Sequence, residues 1–253
     1  MLSPTKEVMN MADQILYCFR RYEKKYLITA AQQSELLRRL KPYMEPDEHP
    51  QSQIGNIYYD TPSFELIRTS LEKPVYKEKL RVRSYGVPTD SGTVFVEIKK
   101  KFEGVVYKRR ISMAANAVPA FLAGNFYAGQ SQIGREIAWF QSIHQTVPAA
   151  YIGYERLSFC GIRQPELRIT FDTDIRWRKD DLDLRCGRKG VAILPENTVL
   201  MEIKIPGAAP LWLAELLSTV GAYPTSFSKY GYSYSHFILP EEPANKKEML
   251  FIA

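Results

Sequence analysis

Residues 77–86 read KEKLRVRSYG and place Lys77, Lys79, Arg81 and Arg83 at every second position. In a β-strand successive side chains point to opposite faces, so these four cations form one row, with Leu80 and Val82 on the other face. The same period of two returns along the chain. Arg21, Glu23 and Lys25 alternate with Tyr22 and Tyr26, and Glu97, Lys99 and Lys101 with Val96 and Ile98. Tyr154, Arg156 and Ser158 alternate with Leu157 and Phe159, and Glu202 and Lys204 with Met201, Ile203 and Ile205. In LRITFDTDIRWR, Arg168, Thr170, Asp172, Asp174, Arg176 and Arg178 share one face, and Leu167, Ile169, Phe171, Ile175 and Trp177 the other. VVYKRRISM is less clean, with Lys108 and Arg110 opposite Arg109 and Ile111. Strands of this kind, distributed along the chain, predict an antiparallel sheet with one charged and one apolar face.

The wet side of a sheet normally mixes charge signs and includes Ser, Thr and Gln. These faces are weighted to Lys and Arg, with a few carboxylates among them. The apolar faces need cover, and amphipathic segments supply it. TAAQQSELLRRLKPYM has Thr29 as N-cap and a Leu36, Leu37, Leu40 stripe. REIAWFQSIHQ repeats the pattern, as does PLWLAELLSTVGAY, with Pro210 in its first turn and Gly221 at its stop. SFELIRTSL reads as a short helix capped by Ser63, and VPAFLAGNFY as a weaker one. GVPTDSG and residues 187–190, GRKG, read as turns. FSKYGYSYSHF reads as an aromatic strand or a stacking patch for bases. The expected fold is α+β: an antiparallel sheet closed into a barrel, amphipathic helices outside and a cationic lumen inside. Residues 1–14 are expected to form a loose segment, 15–240 one domain and 241–253 a tail.

A formal net charge of +6 over 253 residues suits a polyanionic partner without choosing one. Cys18, Cys160 and Cys186 are too few and too scattered for a disulfide framework or a zinc site. No signal-peptide run and no stretch of about 20 apolar residues is present, so a soluble cytoplasmic protein is expected. Gly-rich phosphate loops and the H-E-x-x-H motif are missing, and His49, His144 and His236 stand alone. A lumen of unpaired cations costs several kcal/mol per charge unless water or an anion enters, and Arg and Lys both suit phosphate oxygens. Among so many cations, a carboxylate is a salt-bridge partner or a ligand for Mg²⁺ or Mn²⁺.

The ordered series RYEKKY, NIYYDTPSFELI, KLRVRSYG, VEIKKK, YERLSF, LRITFDTDIRWR, MEIKI and FSKYG resembles the polyphosphate polymerase domain of the vacuolar transporter chaperone (VTC) family. That family belongs to the triphosphate tunnel metalloenzymes, and the resemblance covers about residues 20–238. It implies an eight-stranded antiparallel tunnel barrel. It makes Lys25, Lys79, Lys99, Lys108, Lys204 and Ser228 phosphate contacts, and gives Arg81, Arg83, Arg156, Arg168 and Lys229 roles on the reacting triphosphate. Glu202 becomes the ligand of Mn²⁺ or Mg²⁺, with Glu23 and Glu97 as further metal candidates or salt-bridge partners. The hydrolase and cyclase branches open with E-x-E-x-K, whereas this chain reads Arg21-x-Glu23-x-Lys25. Losing a carboxylate and gaining a cation favours a longer anion.

The expected activity is therefore transfer of the γ-phosphoryl group of ATP to a growing inorganic polyphosphate chain. ATP and polyphosphate are the expected partners, with no specific nucleic acid; for the family's other modules, a phosphate-sensing domain and a membrane-spanning domain, either the protein works alone or a separate membrane or regulatory chain supplies them. One rival is a tunnel hydrolase of triphosphate or nucleoside triphosphates. A second is a binding module for polyphosphate or RNA without turnover.

Overall fold

The computed structural model describes residues 22–103, 105–124 and 131–241. Arg21, Cys18, the expected loose segment 1–14, the end of the VPAFLAGNFY helix and the tail from 242 lie outside the described residues. The strands are β1 (Tyr22–Thr29), β2 (Met44–Asp60), β3 (Tyr76–Tyr85), β4 (Thr93–Phe102), β5 (Val105–Ala114), β6 (Val147–Gly161), β7 (Arg168–Arg178), β8 (Val191–Ala192), β9 (Thr198–Ile205) and β10 (Pro224–Thr225). They form one antiparallel sheet in the order β10-β1-β9-β7-β6-β2-β3-β4-β5, with β8 on β7. The helices are α1 (Ala30–Leu40), α2 (Glu65–Leu71), α3 (Val118–Leu122), α4 (Gln132–His144), α5 (Leu211–Thr219) and α6 (Lys229–Ser233).

Eight strands are long, the number the resemblance implies, β8 and β10 being two residues each; seven of them carry the alternating segments, and β2, the longest, is the one that the alternation did not mark. The sheet curls, since side chains of β1 and of β3–β5 line one cavity, but among the described residues no ladder joins β5 to the β1–β10 end. A seam replaces the expected closure.

Two apolar clusters cover the outside. Ile169, Phe171, Met201 and Ile203 pack with Leu36 and Leu40 of α1 and Leu213 and Leu216 of α5. Leu80, Val82, Val96 and Ile98 pack with Phe121 of α3 and Ile137 and Phe140 of α4. Full burial of each such side chain contributes roughly 1.5–3 kcal/mol. The alternation thus does what the sequence predicts, and Thr29 caps α1 in a reciprocal box with Gln32.

A third cluster lies on the inner face. Ile54, Ile152, Ile175 and Trp177 pack there with Tyr230 of α6 and with Tyr234 and Ile238 of the π-helical turn that follows it. The FSKYGYSYSHF segment is therefore helical, not a strand, and it sits within the curl of the sheet. Its aromatic rings are spent on this packing: Tyr230 stacks on Tyr58 at 4.8 Å and Phe237 on Trp177 at 4.9 Å.

Ile175 and Trp177 reach that cluster because β7 bulges. Between its pairings Glu155↔Thr173 and Gly153↔Arg176, β7 uses one residue more than β6, and Asp174 takes a left-handed φ of 45°. The alternation changes phase there. Arg168, Thr170 and Asp172 keep the expected charged face, whereas Arg176 and Arg178 do not. Arg178 is instead clasped by the carbonyls of Asp181, Asp183, Gly187 and Lys189.

Two helix starts also differ from expectation. Pro210 is the N-cap of α5 and not its first turn. At α2 the cap is not Ser63: the buried Asp60 carboxylate accepts from the backbone N–H of Thr61, Leu66 and Ile67, and from the Tyr230 hydroxyl at 2.9 Å. One carboxylate thus ties α2 to α6.

Candidate functional site

The inner faces bring most of the expected residues together around two buried carboxylate centres. In the first, Glu97 on β4 receives Arg81 Nε at 2.8 Å and Lys108 Nζ at 2.6 Å, with Arg83 at 3.9 Å. Arg81 also donates to the Tyr58 hydroxyl at 3.3 Å. Arg83 donates to Asn56 Oδ1 at 2.9 Å and to the Tyr154 hydroxyl at 3.2 Å. Burial acts to raise the Glu97 pKa, but Arg81, Arg83 and Lys108 overcome it and hold it at about 2. Its contacts are those of a salt-bridge partner.

The second centre is Asp172 with Glu202. Arg156 grips Asp172 in a fork at 2.6 and 2.7 Å and reaches Glu202 at 3.2 Å. Lys229 Nζ meets Asp172 at 2.5 Å and Glu202 at 3.2 Å, and Lys25 lies 3.6 Å from Glu202. Burial opposes ionisation of Glu202, yet Lys229, Lys25 and Arg156 hold it well below the usual carboxylate range. Burial likewise works against the Lys229 charge, and Asp172 and Glu202 raise its pKa regardless. Tyr154 joins the two centres, with its hydroxyl on Arg83 and its ring under Lys229 and Arg156.

Lys79, Lys99 and Lys204 occupy the same face but form no ion pair among the described residues. Lys79 is pushed down to about 7 by burial first, and then by Lys99, Lys77, Lys25 and Arg81; its ammonium group donates to the Ser228 hydroxyl at 3.4 Å. Burial also lowers Lys99 and Lys204, although Glu23 and Glu202 pull both the other way. Glu23 bridges Lys25 at 3.4 Å. Ser228 caps α6 by accepting from the Gly231 N–H. Arg168 is the outlier: it stands opposite Lys204 at the rim, half-exposed, and pairs with Asp47 at 3.2 Å instead of joining either centre.

Asn56, Tyr58 and Tyr154 belong to the site although none was among the expected site residues, and Asp172, expected only as a replacement metal residue should Glu202 fail, stands at the heart of the second centre. Asn56 and Tyr58 alternate within NIYYD, so the period-two signal was present there; it carried no charge to mark it.

Among the described residues, no three His, Cys, Asp or Glu side chains gather to hold a metal ion. Glu202, with Glu23 beside it on the neighbouring strand, provides oxygen donors hemmed in by cations. That set fits Mg²⁺ or Mn²⁺ taking most of its ligands from phosphate and water, and does not fit an ion caged by protein alone.

The two classes of cation respond differently to pH. The folded Lys79 titrates near 7, below the ordinary lysine value of 10.5. Between those limits the unfolded chain binds more protons, so Lys79 makes the free protein gain stability as pH rises from about 7 towards 10. Its full penalty is present below 7. A bound polyanion reverses the preference, so binding at pH 8 should take up protons. Calorimetry of tripolyphosphate binding in buffers of different ionisation enthalpy measures that uptake, and it should shrink in Lys79→Met. No uptake in the parent protein would rule out Lys79 as an anion contact.

A VTC domain family model matches residues 20–238. Among solved structures, a putative adenylate cyclase from Bacillus halodurans aligns with a TM-score of 0.52 at 14% identity, over 85% of this chain and 96% of that one. A putative adenylyl cyclase from Hippeastrum, described as revealing a dominant triphosphatase activity, aligns with a TM-score of 0.48 at 14% identity, over 88% and 97%. No match is found among the curated proteins.

Proposed function

This chain belongs to the VTC domain family, and we propose from that premise that it is a metal-dependent polyphosphate polymerase using ATP. The observation that carries the reading is the set of half-buried lysines, Lys79, Lys99 and Lys204, whose pKa values are lowered by burial and which form no ion pair among the described residues. Such groups are stabilised by an incoming anion with many charges, and less by a single carboxylate or phosphate.

In this reading Arg81, Arg83, Arg156 and Lys229 are held in place by Glu97, Asp172 and Glu202, so their free N–H groups are aimed before substrate arrives. Lys25, Lys99, Lys108, Lys204 and Ser228 hold the rest of the triphosphate and chain, and Arg168 meets phosphates at the rim. A terminal oxygen of the polyphosphate chain attacks the γ-phosphorus, the bond to the β-phosphate oxygen breaks, and ADP leaves with that electron pair. The acceptor is itself the nucleophile, so alignment and charge neutralisation are the protein's task. Glu202 is the residue that would hold Mn²⁺ or Mg²⁺, which would supply further neutralisation of the phosphate charge. ATP places the enzyme in the cytoplasm. No described helix is long and apolar enough to cross a membrane.

Incubation with ATP and Mn²⁺, followed by gel separation of phosphate polymers, tests the reading. A ladder of long anions with release of ADP is the expected result. Orthophosphate without polymer would make it a tunnel hydrolase, and metal-independent binding without turnover would make it a binding module.

A further inference from the structure

Asp60, at the end of β2, is a fully buried carboxylate that takes no part in either charged centre. Among the described residues it forms no ion pair. Four neutral donors surround it instead. One oxygen accepts from Thr61 N–H at 2.8 Å and Leu66 N–H at 2.9 Å; the other accepts from Ile67 N–H at 3.0 Å and the Tyr230 hydroxyl at 2.9 Å. A carboxylate can accept from all four, whereas an amide would set its NH₂ against two donors.

Tyr230 directly follows Lys229 on α6, a helix of five residues. A helical segment this short does not fix its own position, so its contacts must. Apolar packing of Tyr230, Tyr234 and Ile238 sets how deep the segment sits, but such packing is non-directional. Two directional contacts at the start of the segment come from lysines: Lys25 donates to the Phe227 carbonyl at 2.9 Å and Lys79 to the Ser228 hydroxyl at 3.4 Å. In the reading above both lysines turn to phosphate when substrate enters. The Asp60–Tyr230 bond does not face substrate and has no reason to break.

We propose that Asp60 and Tyr230 are positioning residues for the reaction centre: their hydrogen bond fixes the rotation of α6, and with it the entry of Lys229 between Asp172 and Glu202. Lys229 Nζ meets those carboxylates at 2.5 and 3.2 Å and lies over the Tyr154 ring at 4.4 Å, a seat that a small rotation of α6 would vacate. The Tyr230 ring stacks on Tyr58, whose hydroxyl accepts from Arg81, so the same side chain also abuts the Glu97 centre. The consequence for turnover rests on the polymerase reading; the positioning of Lys229 does not.

The test starts from Tyr230→Phe in the whole chain, which keeps the ring on Tyr58 and deletes the hydroxyl. Lysines of the folded protein are labelled with an amine reagent and mapped by mass spectrometry. Lys229 should label slowly in the parent and roughly tenfold faster in the variant, while Lys108 at the other centre keeps its parent rate. With ATP and Mn²⁺, kcat should fall roughly 10–100-fold, the scale of a small misplacement of a catalytic group, with KM near the parent value. Added to Lys229→Met, Tyr230→Phe should cost nothing further, because it acts through Lys229. If Tyr230→Phe does not fold, Gly231→Ala takes its place. Its added Cβ would stand 3.0 Å from Leu71 Cδ2 on α2 and 3.2 Å from Ser228 Cβ, so it wedges α6 away from α2 without touching Asp60. Unchanged labelling of Lys229, equal acceleration of Lys229 and Lys108, or losses that add in full to those of Lys229→Met would overturn the positioning role. A parent protein that makes no polymer from ATP would sink the polymerase reading, and the labelling rates of Lys229 and Lys108 would then decide the positioning role alone.

Discussion

Glu202→Gln should leave ATP bound and cut polymer synthesis by roughly 10²–10³-fold, the scale seen when one preorganised electrostatic group is removed from a reaction centre. The change preserves shape and deletes one negative charge. Lys25, Arg156 and Lys229, which share that charge at 3.6, 3.2 and 3.2 Å, then turn their full attraction on the triphosphate. Binding should therefore hold or tighten while turnover falls, and the loss should lessen as Mn²⁺ is raised. ATP affinity and polymer yield, measured on one preparation across a metal titration, decide the matter. Near-normal synthesis at low metal would remove Glu202 as the metal residue and leave it as a salt-bridge partner.

The largest loss of stability should come from Arg156→Ala. Asp172 is fully buried and would keep Lys229 as its remaining ion-pair partner. Removing one member of a buried ion pair typically costs about 3–5 kcal/mol, because the other charge is stranded. Adding Asp172→Asn should restore part of that loss, since no full charge is then left without its fork. Urea unfolding of the two single variants and the double variant measures the coupling. An Arg156→Ala protein as stable as the parent would mean that water reaches Asp172 and that the centre is not dry.

The sheet and its charged lining were legible because period-two alternation is a local property: Lys79, Arg81, Lys99 and Glu202 can be placed on one face without knowing which strands pair. What local pattern cannot reveal is partner choice. Glu97 and Glu202 look alike in VEIKKK and MEIKI, yet three-dimensional pairing gives the first Arg81, Arg83 and Lys108, and the second Arg156, Lys229 and Lys25. Lys229 depends on α6 entering the curl of the sheet, a tertiary preference that overrides the strand-like look of FSKYGYSYSHF. Ser63 looked like the cap of α2 because it precedes the helix, but the helix uses Asp60, whose aim is set by Tyr230 far along the chain. The phase change in β7 was invisible for a related reason. A bulge is one extra residue, and an unbroken alternation of DTDIRWR hides where it falls.

The left-handed Asp174 in β7 makes the length of this strand a quantity that evolution cannot vary by one. Deleting a residue there would restore an unbroken alternation, turning Arg176 and Arg178 into the interior and expelling Ile175 and Trp177 from it. Insertions and deletions in β7 should therefore survive in relatives as pairs, or be compensated in β6, while single-residue changes of length should be confined to the loops at its ends.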